Sequence, residues 1–599
     1  MAEMAFDLGF FDVLAAARKS TSSPSQSAYT LEFVQAPGLP TLANVMVFIP
    51  RRRPIQSNEE KPLCLLIWTW TWNWTWTPTL IMVSSSLLLL LLGVLDSGLA
   101  ADARSVTIPK TAPKGAGQPW ADFVSYSIEL SSIVDYAGNL SAPNTYSLNL
   151  LKNLEALTGT KPSIRVGGAT QDRTVFVPTQ EAAYIGTIIP AISPDFPGRV
   201  TIGPKFFESY QTWPGFQFTH GLNYANLGAL NATIASIPYA CKALRSNLIA
   251  FEFGNEPDLF VLFRVRNATT WTDKAYVDEW LSSVSSVRKA ALQACASQIP
   301  EYDFPLYGPT FAGLERGDLG NLTVLDPKTS WSLGLSTSPI TQLVTHNYMG
   351  AASSPGLSLQ GTLMNNTAIR TRVQAHLAFY KAISTTRPLI LGEHNSIAQQ
   401  GRPGLSDAFG AALWGLTFNT MAAARGFKRQ HMHQGTNYRY QMWQPVDTNF
   451  SARATKPAYY GNVALAAFLG GFEGEGRVAE LDLRVDTGAA FAIWRGGKVR
   501  RVLVVDLRVY NGTAATGTRP SGTYKLDFAG KCEGGKVRRL MAAGSDATTG
   551  VTWDGTTYDF KNMGKPARAA KKTVEKVKVG RNGKMSIEVP WSSAAVIDC

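Results

Sequence analysis

Apolar and polar positions change their rhythm twice along this chain, near residue 120 and again near residue 445. Between Ala121 and Gln444, short apolar runs alternate with longer stretches at helical spacing. Eight runs read as strands: Phe123–Leu130, Ser163–Val166, Phe216–His220, Leu248–Gly254, Leu306–Gly308, Gln342–Asn347, Leu389–Gly392 and Lys428–His433. Tyr276–Ala296 and Asp407–Arg425 read as helices between them, the second with Ser406 in a capping position. Strands buried on both faces show near-continuous apolar runs, and eight of them alternating with helices is the number that closes a (β/α)₈ barrel. After Pro445 the runs shorten and alternate with period two: Leu481–Val485, Phe491–Trp494, Val502–Leu507, Thr523–Phe528 and Met585–Val589. Gly496-Gly497 and Asn582-Gly583 read as hairpin turns. The pattern therefore predicts an α/β protein, a (β/α)₈ TIM barrel over residues 120–445 followed by an all-β sandwich over 446–599. Residues 101–119 read as a linker whose strand near Val106–Ile108 joins the β domain.

The first hundred residues follow another logic. Residues 1–81 lack periodicity, carry the basic run Arg51-Arg52-Arg53, and end in a tryptophan–threonine tract, Thr69 to Thr77. Met82, three serines, the leucine run Leu87–Leu92 and Gly98-Leu99-Ala100 have the order of a secretory signal peptide over 82–100. On that reading residues 1–81 are an extension ahead of the true start. The rival is a signal anchor in which residues 63–95 span a bilayer. Both place the bulk of the chain outside the cytosol, secreted or membrane-anchored. Beyond Cys64 the chain holds four cysteines, Cys241, Cys295, Cys532 and Cys599. An even number outside the cytosol suggests two disulfides; three connectivities exist, and pairing within each domain gives Cys241–Cys295 and Cys532–Cys599. After the cleavage site, sequons begin at Asn139, Asn231, Asn267, Asn321, Asn365, Asn449 and Asn511. Residues 101–599 carry 51 Lys and Arg against 37 Asp and Glu. A basic surface of this kind suits polyanionic glycans, as does the patch from Lys565 to Lys584, although a solvated face accounts for both.

Two short strings carry the chemistry. Leu248-Ile249-Ala250-Phe251 leads into Gly254-Asn255-Glu256-Pro257, and Leu389-Ile390-Leu391 leads into Gly392-Glu393. Each is an apolar strand ending on a carboxylate, the position from which barrel enzymes act. Two carboxylates brought together from different strands are what glycoside hydrolysis requires: one protonates the leaving oxygen, the other attacks the anomeric carbon. The bland alternative is that each glutamate caps its strand and pairs with an arginine.

Joined with Arg165-Val166-Gly167-Gly168, His346-Asn347-Tyr348, Gly392-Glu393-His394-Asn395-Ser396 and His433-Gln434-Gly435-Thr436, these strings resemble the retaining barrel glycosidases. Within that clan they resemble most closely the fungal form of glycoside hydrolase family 79, the β-glucuronidase and heparanase family. The resemblance spans residues 120–599. It implies Glu256 as acid/base at the end of the fourth strand and Glu393 as nucleophile at the end of the seventh. It also implies a hydrogen bond from Asn255 to the sugar 2-hydroxyl, a hydrogen bond from Tyr348 to Glu393, and support of that charge by Arg165. Asp172, His346, His433 and Gln434 would line the pocket. Ala169 and His394 depart from the family pattern, and the loop Asn395–Gly401 has no Tyr, Arg or Lys to hold a uronate. Backbone N–H groups around Gln399–Gly401, or Arg402, would have to supply those donors.

The expected activity is that of a secreted retaining β-glycosidase, exo-acting on terminal β-glucuronic acid or its 4-O-methyl form in glycans and proteoglycans. Its partner is a carbohydrate; no cofactor, metal or nucleic acid is implied. His431-Met432-His433 reads as a strand rather than a ligand set, and a Gly-x-Ser-x-Gly elbow is absent. Cleavage of another β-linked sugar, such as a galactan or glucan, and a catalytically silent glycan-binding protein remain as rivals.

Overall fold

Eight parallel strands close into a barrel, each hydrogen-bonded to the next and the last to the first. In this computed structural model, residues 104–569 and 575–599 are described in full. Ahead of them only the backbone of two antiparallel pairs is described, Tyr29–Val34 with Val45–Pro50 and Leu63–Trp70 with Trp76–Val83. The signal peptide expected over 82–100 lies almost wholly outside the described residues, as does the centre of the basic patch at 570–574. Among the described residues no helix is long and apolar enough to cross a membrane.

We number the barrel strands β1 (Val124–Glu129), β2 (Ile164–Gly167), β3 (Phe218–Leu222), β4 (Leu248–Phe253), β5 (Leu306–Phe311), β6 (Ile340–Asn347), β7 (Leu389–His394) and β8 (Arg429–Gln434). All eight fall on the runs read from the sequence. Every residue of β1, β2, β3, β5, β7 and β8 is buried; the apolar ones mark the strands, and most of the polar ones lie in β1 and β8. Outward residues such as Phe218, Phe251 and Leu391 pack into the large core shared with the surrounding helices. Inward residues form tiers. Ala250, Tyr307, Val344 and Ile390, from four successive strands, make an apolar tier closed by Trp120. The inward tier toward the C-terminal ends of the strands is polar, and the site is built there.

Beyond β8 the structure departs from the sequence reading first in where the β domain begins. The chain does not turn to β structure at Pro445. It first forms the helix Pro457–Leu469, buried over twelve residues and packed on the helices Phe409–Ala424 and Thr145–Thr158. A helix buried all round has little polar face, so its periodicity was hard to see. Ser406 is not the cap of Phe409–Ala424: its Oγ accepts from the N–H of Arg402 at 3.0 Å, and Ala408 holds the cap position.

The sandwich has two sheets. Arg477–Leu481, Gly488–Arg495, Lys498–Asp506, Ser593–Asp598 and Lys536–Met541 lie in that order in the larger one, continued by short edge strands. Lys584–Pro590, Ser521–Phe528 and Arg104–Ile108 form the smaller, so the strand ahead of the barrel does join the β domain. Period two explains how Gly488–Arg495 is buried on both faces. Ala489, Phe491 and Ile493 point into the barrel-side core, and Ala490, Ala492 and Trp494 into the core between the sheets. The strand expected at Leu481–Val485 lies earlier, at Arg477–Leu481, because Arg484 turns left-handed (φ 53°) and ends any extended run. The turn at Gly496-Gly497 is as predicted, with both φ values positive (61° and 71°). Both expected disulfides are present: Cys241–Cys295 ties the helices Leu230–Leu244 and Asp273–Cys295, and Cys532–Cys599 ties the chain end to the sandwich.

Candidate active site

Glu256 and Glu393 reach the barrel mouth by different backbone devices. Glu256 follows β4 by three residues and adopts a left-handed conformation (φ 53°, ψ 55°), strained for a side-chain-bearing residue before proline. The strain is held by its own N–H donating to Thr310 O at 2.9 Å, by Leu259 N–H donating to its carbonyl, and by Trp271 Nε1–H donating to Pro257 O. Glu393 lies within β7, where strict alternation would put it outward beside Leu391. The pairing skips Gly392: His346 pairs with Glu393 directly after Thr345 pairs with Leu391. This bulge resets the alternation and turns Glu393 inward. Only glycine fits there, since a Cβ at Gly392 would stand 2.3 Å from Val344 Cγ1.

One oxygen of each glutamate and a ring nitrogen of His346 all lie within 4.8 Å of one another. That separation matches retaining double displacement, for which the two carboxyl groups stand about 5–5.5 Å apart, and is too short for the inverting arrangement at about 6.5–9.5 Å.

The surroundings push the two acids apart. Burial, then the charge of Glu393, raise Glu256 to about 8, so it carries a proton at neutral pH. Burial would raise Glu393 too, but its interactions with His433, His346 and Arg165 outweigh that and hold Glu393 well below the usual carboxylate range. Arg165 is a permanent charge, whereas burial lowers His346 to about 4 and leaves it neutral. Both Glu393 oxygens have donors: Arg165 Nη1 at 2.7 Å from Oε2 and the Tyr348 hydroxyl at 2.9 Å from Oε1. His346 Nδ1 bonds Glu256 Oε1 at 2.9 Å. The same three groups are the His/Glu cluster with metal-ligand spacing among the described residues. Arg165 already neutralises Glu393, and a second cation beside it would be repelled.

The expected site residues divide accordingly. Arg165, Tyr348 and His346 touch the glutamates directly. His433 lies 3.8 Å from Glu393 Oε2 and bonds Ser127 Oγ at 2.8 Å. Asn255 accepts from Arg165 Nη2 at 2.8 Å, which fixes its amide beside the arginine that holds Glu393. Asp172 is a brace rather than pocket lining: it accepts from the N–H groups of Tyr224, Ala225 and Asn255, locking the loop that carries Asn255. The amide oxygen of Gln434 accepts from Met442 N–H at 3.1 Å, while its Nε2 is buried without a partner among the described residues. His394, a departure from the family pattern, packs on Trp414 and Phe418 and bonds Gln430.

Two carboxylates went unnoticed in the sequence. Glu252, fully buried in β4, accepts from Arg165 Nε at 3.0 Å and also from Nη2, so Arg165 bridges Glu252 and Glu393. Its signal was there: in the alternation of β4 it shares the inward face with Ala250. Glu129, at the end of β1, accepts from Thr170 N–H, Thr170 Oγ1 and the Tyr438 hydroxyl. A Cβ at Gly168 would come within 2.9 Å of it, which is why the Gly167-Gly168 break follows β2.

Burial and the Glu393 charge hold the Tyr348 phenol well above 10, so it stays a donor throughout the working pH range. Tyr348→Phe is expected to lower kcat about 10- to 100-fold with KM nearly unchanged, the loss of one hydrogen bond to a charged group. Steady-state kinetics on an aryl glycoside checks this.

Comparison with known proteins agrees with this geometry. The C-terminal β domain of glycosyl hydrolase family 79 matches residues 490–596. A β-glucuronidase of Aspergillus niger is 41% identical over 521 residues, 82% of this chain and 94% of its own length. A β-glucuronidase of Neurospora crassa is 40% identical over 511 residues, covering 78% and 89%. Among solved structures, a 4-O-α-L-rhamnosyl-β-D-glucuronidase of Fusarium oxysporum, determined with Rha-GlcA, superposes with a TM-score of 0.66. It is 24% identical and covers 83% of this chain and all of that one, a likeness of fold. With the retaining pair, its arginine and tyrosine supports and identity of this extent over barrel and sandwich together, the chain belongs to glycoside hydrolase family 79.

Proposed function

We propose that the protein is a retaining β-glucuronidase. The observation that carries the reading is the pair Glu256 and Glu393, within 4.8 Å and with their proton affinities driven in opposite directions. Glu393, ionised and held by Arg165 and Tyr348, attacks the anomeric carbon while Glu256 gives its proton to the leaving oxygen. Once Glu393 is esterified its charge is gone, the affinity of Glu256 for a proton falls, and Glu256 takes the proton of the incoming water. Asn255, fixed by Arg165 and Asp172, meets the sugar 2-hydroxyl.

The glucuronate reading draws on the relatives and on one loop. Gln399 and Gln400 adopt φ values of 59° and 61°, and Gly401 follows at 84°, a left-handed turn after the nucleophile strand. The N–H groups of Gln399 and Gln400 make no hydrogen bond among the described residues. Arg439 braces the turn, donating through its N–H to Gln400 O and through Nε to Gly401 O. Gly401 packs against Tyr440, whose ring neighbours Tyr348 at 6.0 Å. Such amides suit a carboxylate without a side-chain cation. The side chain of Arg402, the alternative donor, is engaged with Ser354 O.

Hydrolysis of a panel of chromogenic β-glycosides tests the reading: the glucuronide is expected to be cleaved far faster than the glucoside, galactoside or xyloside. Preference for a neutral glycoside would keep the mechanism and discard the uronate. Because Glu256 must be protonated and is raised to about 8, kcat/KM should hold through neutral pH and fall above about pH 8. In Glu256→Gln, assayed with a leaving group that needs no protonation, that alkaline fall should vanish.

We also read the protein as secreted. Six of the seven sequon asparagines are exposed, so a glycan fits at each; Asn365, half-buried, uses its Oδ1 to cap the helix Asn366–Ala382. Amino-terminal sequencing of the purified protein should find Ala101 or a close neighbour.

A further inference from the structure

Arg173 is a cation that the reaction described above does not use. It closes the short turn Gln171–Arg173 immediately after β2, on the catalytic face of the barrel. Its guanidinium lies over two rings from different loops, 5.7 Å from the centre of Phe196 and 6.0 Å from that of Phe263. Phe196 packs with Tyr348, Tyr438 and Tyr440, so this aromatic wall continues into the site. Phe263, on the loop after Glu256, is 47% exposed beside Leu262, and offers a free apolar surface.

The Arg173 guanidinium makes no hydrogen bond or ion pair with a described residue, and its Nε is buried without a partner. The nearby carboxylates are bonded to other donors. Asp172 accepts three backbone N–H groups, and Glu129 accepts from Thr170 and Tyr438. Burial lowers the pKa of Arg173, and the charges of Glu129 and Asp172 oppose that fall. The groups that lower Glu393 are instead His433, His346 and Arg165. A half-buried guanidinium stacked between rings keeps its planar fork of donors in place; Glu129 and Asp172 offset part of its desolvation from a distance, but no anion of the described residues meets the fork itself.

We propose that Arg173, between Phe196 and Phe263, is a subsite for a second anionic group of the glycan, outside the sugar being cleaved. The substrate class is then an acidic glycan: a terminal β-glucuronate whose neighbouring residue carries a carboxylate or sulfate. This rests on the β-glucuronidase reading and extends it, since the turn at Gln399–Gly401 serves the cleaved sugar and Arg173 serves its neighbour. The guanidinium fork takes the anion in a bidentate contact, and the exposed face of Phe263 meets the apolar face of the sugar ring that bears it.

The test compares two oligosaccharides with the same terminal β-glucuronate. One carries a second carboxylate on the neighbouring sugar; in the other that carboxylate is reduced to the alcohol. The wild type should prefer the acidic one by about tenfold or more in kcat/KM, mostly through KM, as expected for a charge-assisted contact. Arg173→Gln should bring the ratio close to one, Arg173→Lys should keep part of it, and added salt should shrink it in the wild type. An unchanged ratio in Arg173→Gln overturns the proposal. So does an equal loss on both oligosaccharides and on p-nitrophenyl β-glucuronide, which would assign Arg173 to the cleaved sugar or to structure. If the wild type cleaves no glucuronide, the glucuronidase reading falls by itself. The subsite is then read separately, as the affinity ratio of the two oligosaccharides for Glu393→Gln and for Glu393→Gln/Arg173→Gln by calorimetry.

Discussion

Glu393→Ala is expected to lose at least about 10⁴-fold in kcat/KM, the scale on which removal of a nucleophile acts, and to regain turnover when azide is added. The rescue follows from what the substitution leaves behind. Arg165 Nη1 and the Tyr348 hydroxyl, which hold the two Glu393 oxygens at 2.7 and 2.9 Å, remain in place around the vacated space. A small anion that enters it meets two donors and a buried positive charge, on the face from which the glutamate attacked. The product should therefore be the glycosyl azide of inverted configuration. Glu256→Ala should behave differently. With an activated aryl leaving group the first step survives, the second slows for want of a base, and the glycosyl-enzyme accumulates. NMR of the earliest product of the wild type provides the independent check: the β-anomer must form first. Release of the α-anomer would mean single displacement, and would remove Glu393 from the nucleophile's role.

The second large effect is expected at Arg165. It is fully buried and bridges two buried carboxylates, Glu252 and Glu393. Taking one member out of a buried ion network leaves the others uncompensated, which costs about 3–5 kcal/mol. Arg165→Met should accordingly lower Tm by roughly 5–10 °C for a unit of this size. It should also raise the proton affinity of Glu393, because the standing charge that holds it ionised is lost. The acid limb of the kcat/KM profile then moves to higher pH, a change that a merely structural defect would not produce. Arg165→Met with Glu252→Gln should recover part of the stability and none of the acid-limb position, since Glu393 still lacks its partner. Arg165→Lys should fall between, because a point charge cannot reach Glu252, Glu393 and Asn255 in one planar fork. Thermal melts and pH–rate profiles on the four proteins separate these outcomes.

The sequence by itself determined the architecture and pointed to the two glutamates that the barrel brings together. Strands buried on both faces are rich in apolar residues, so runs such as β4 and β7 stood out in hydrophobicity, and each glutamate stood at the end of one; the polar β8 was placed by its spacing after the preceding helix. The disulfide pairs were legible for a related reason, as four cysteines with one pair in each domain. The helix Pro457–Leu469 was not legible, because it is buried all round and shows no polar stripe. Nor was the facing of Glu393. Alternation along β7 assigns it outward, and only the bulge at Gly392, set by the pairing of β7 with β6, brings it into the barrel. The partners of the acids were decided in the same way. Arg165, Glu252 and Glu393 come from β2, β4 and β7, separated by 87 and 228 positions from the arginine to each carboxylate. Nothing local requires that triad; closure of the barrel places the three on one inward tier. Asp172 and Gln434 show the converse, residues of the right chemistry near the mouth whose lone pairs tertiary structure spent on backbone N–H groups. Local pattern fixes which residues are buried, because burial is a property of each position along the chain. Which buried charges meet is a property of pairs, and only the folded barrel decides it.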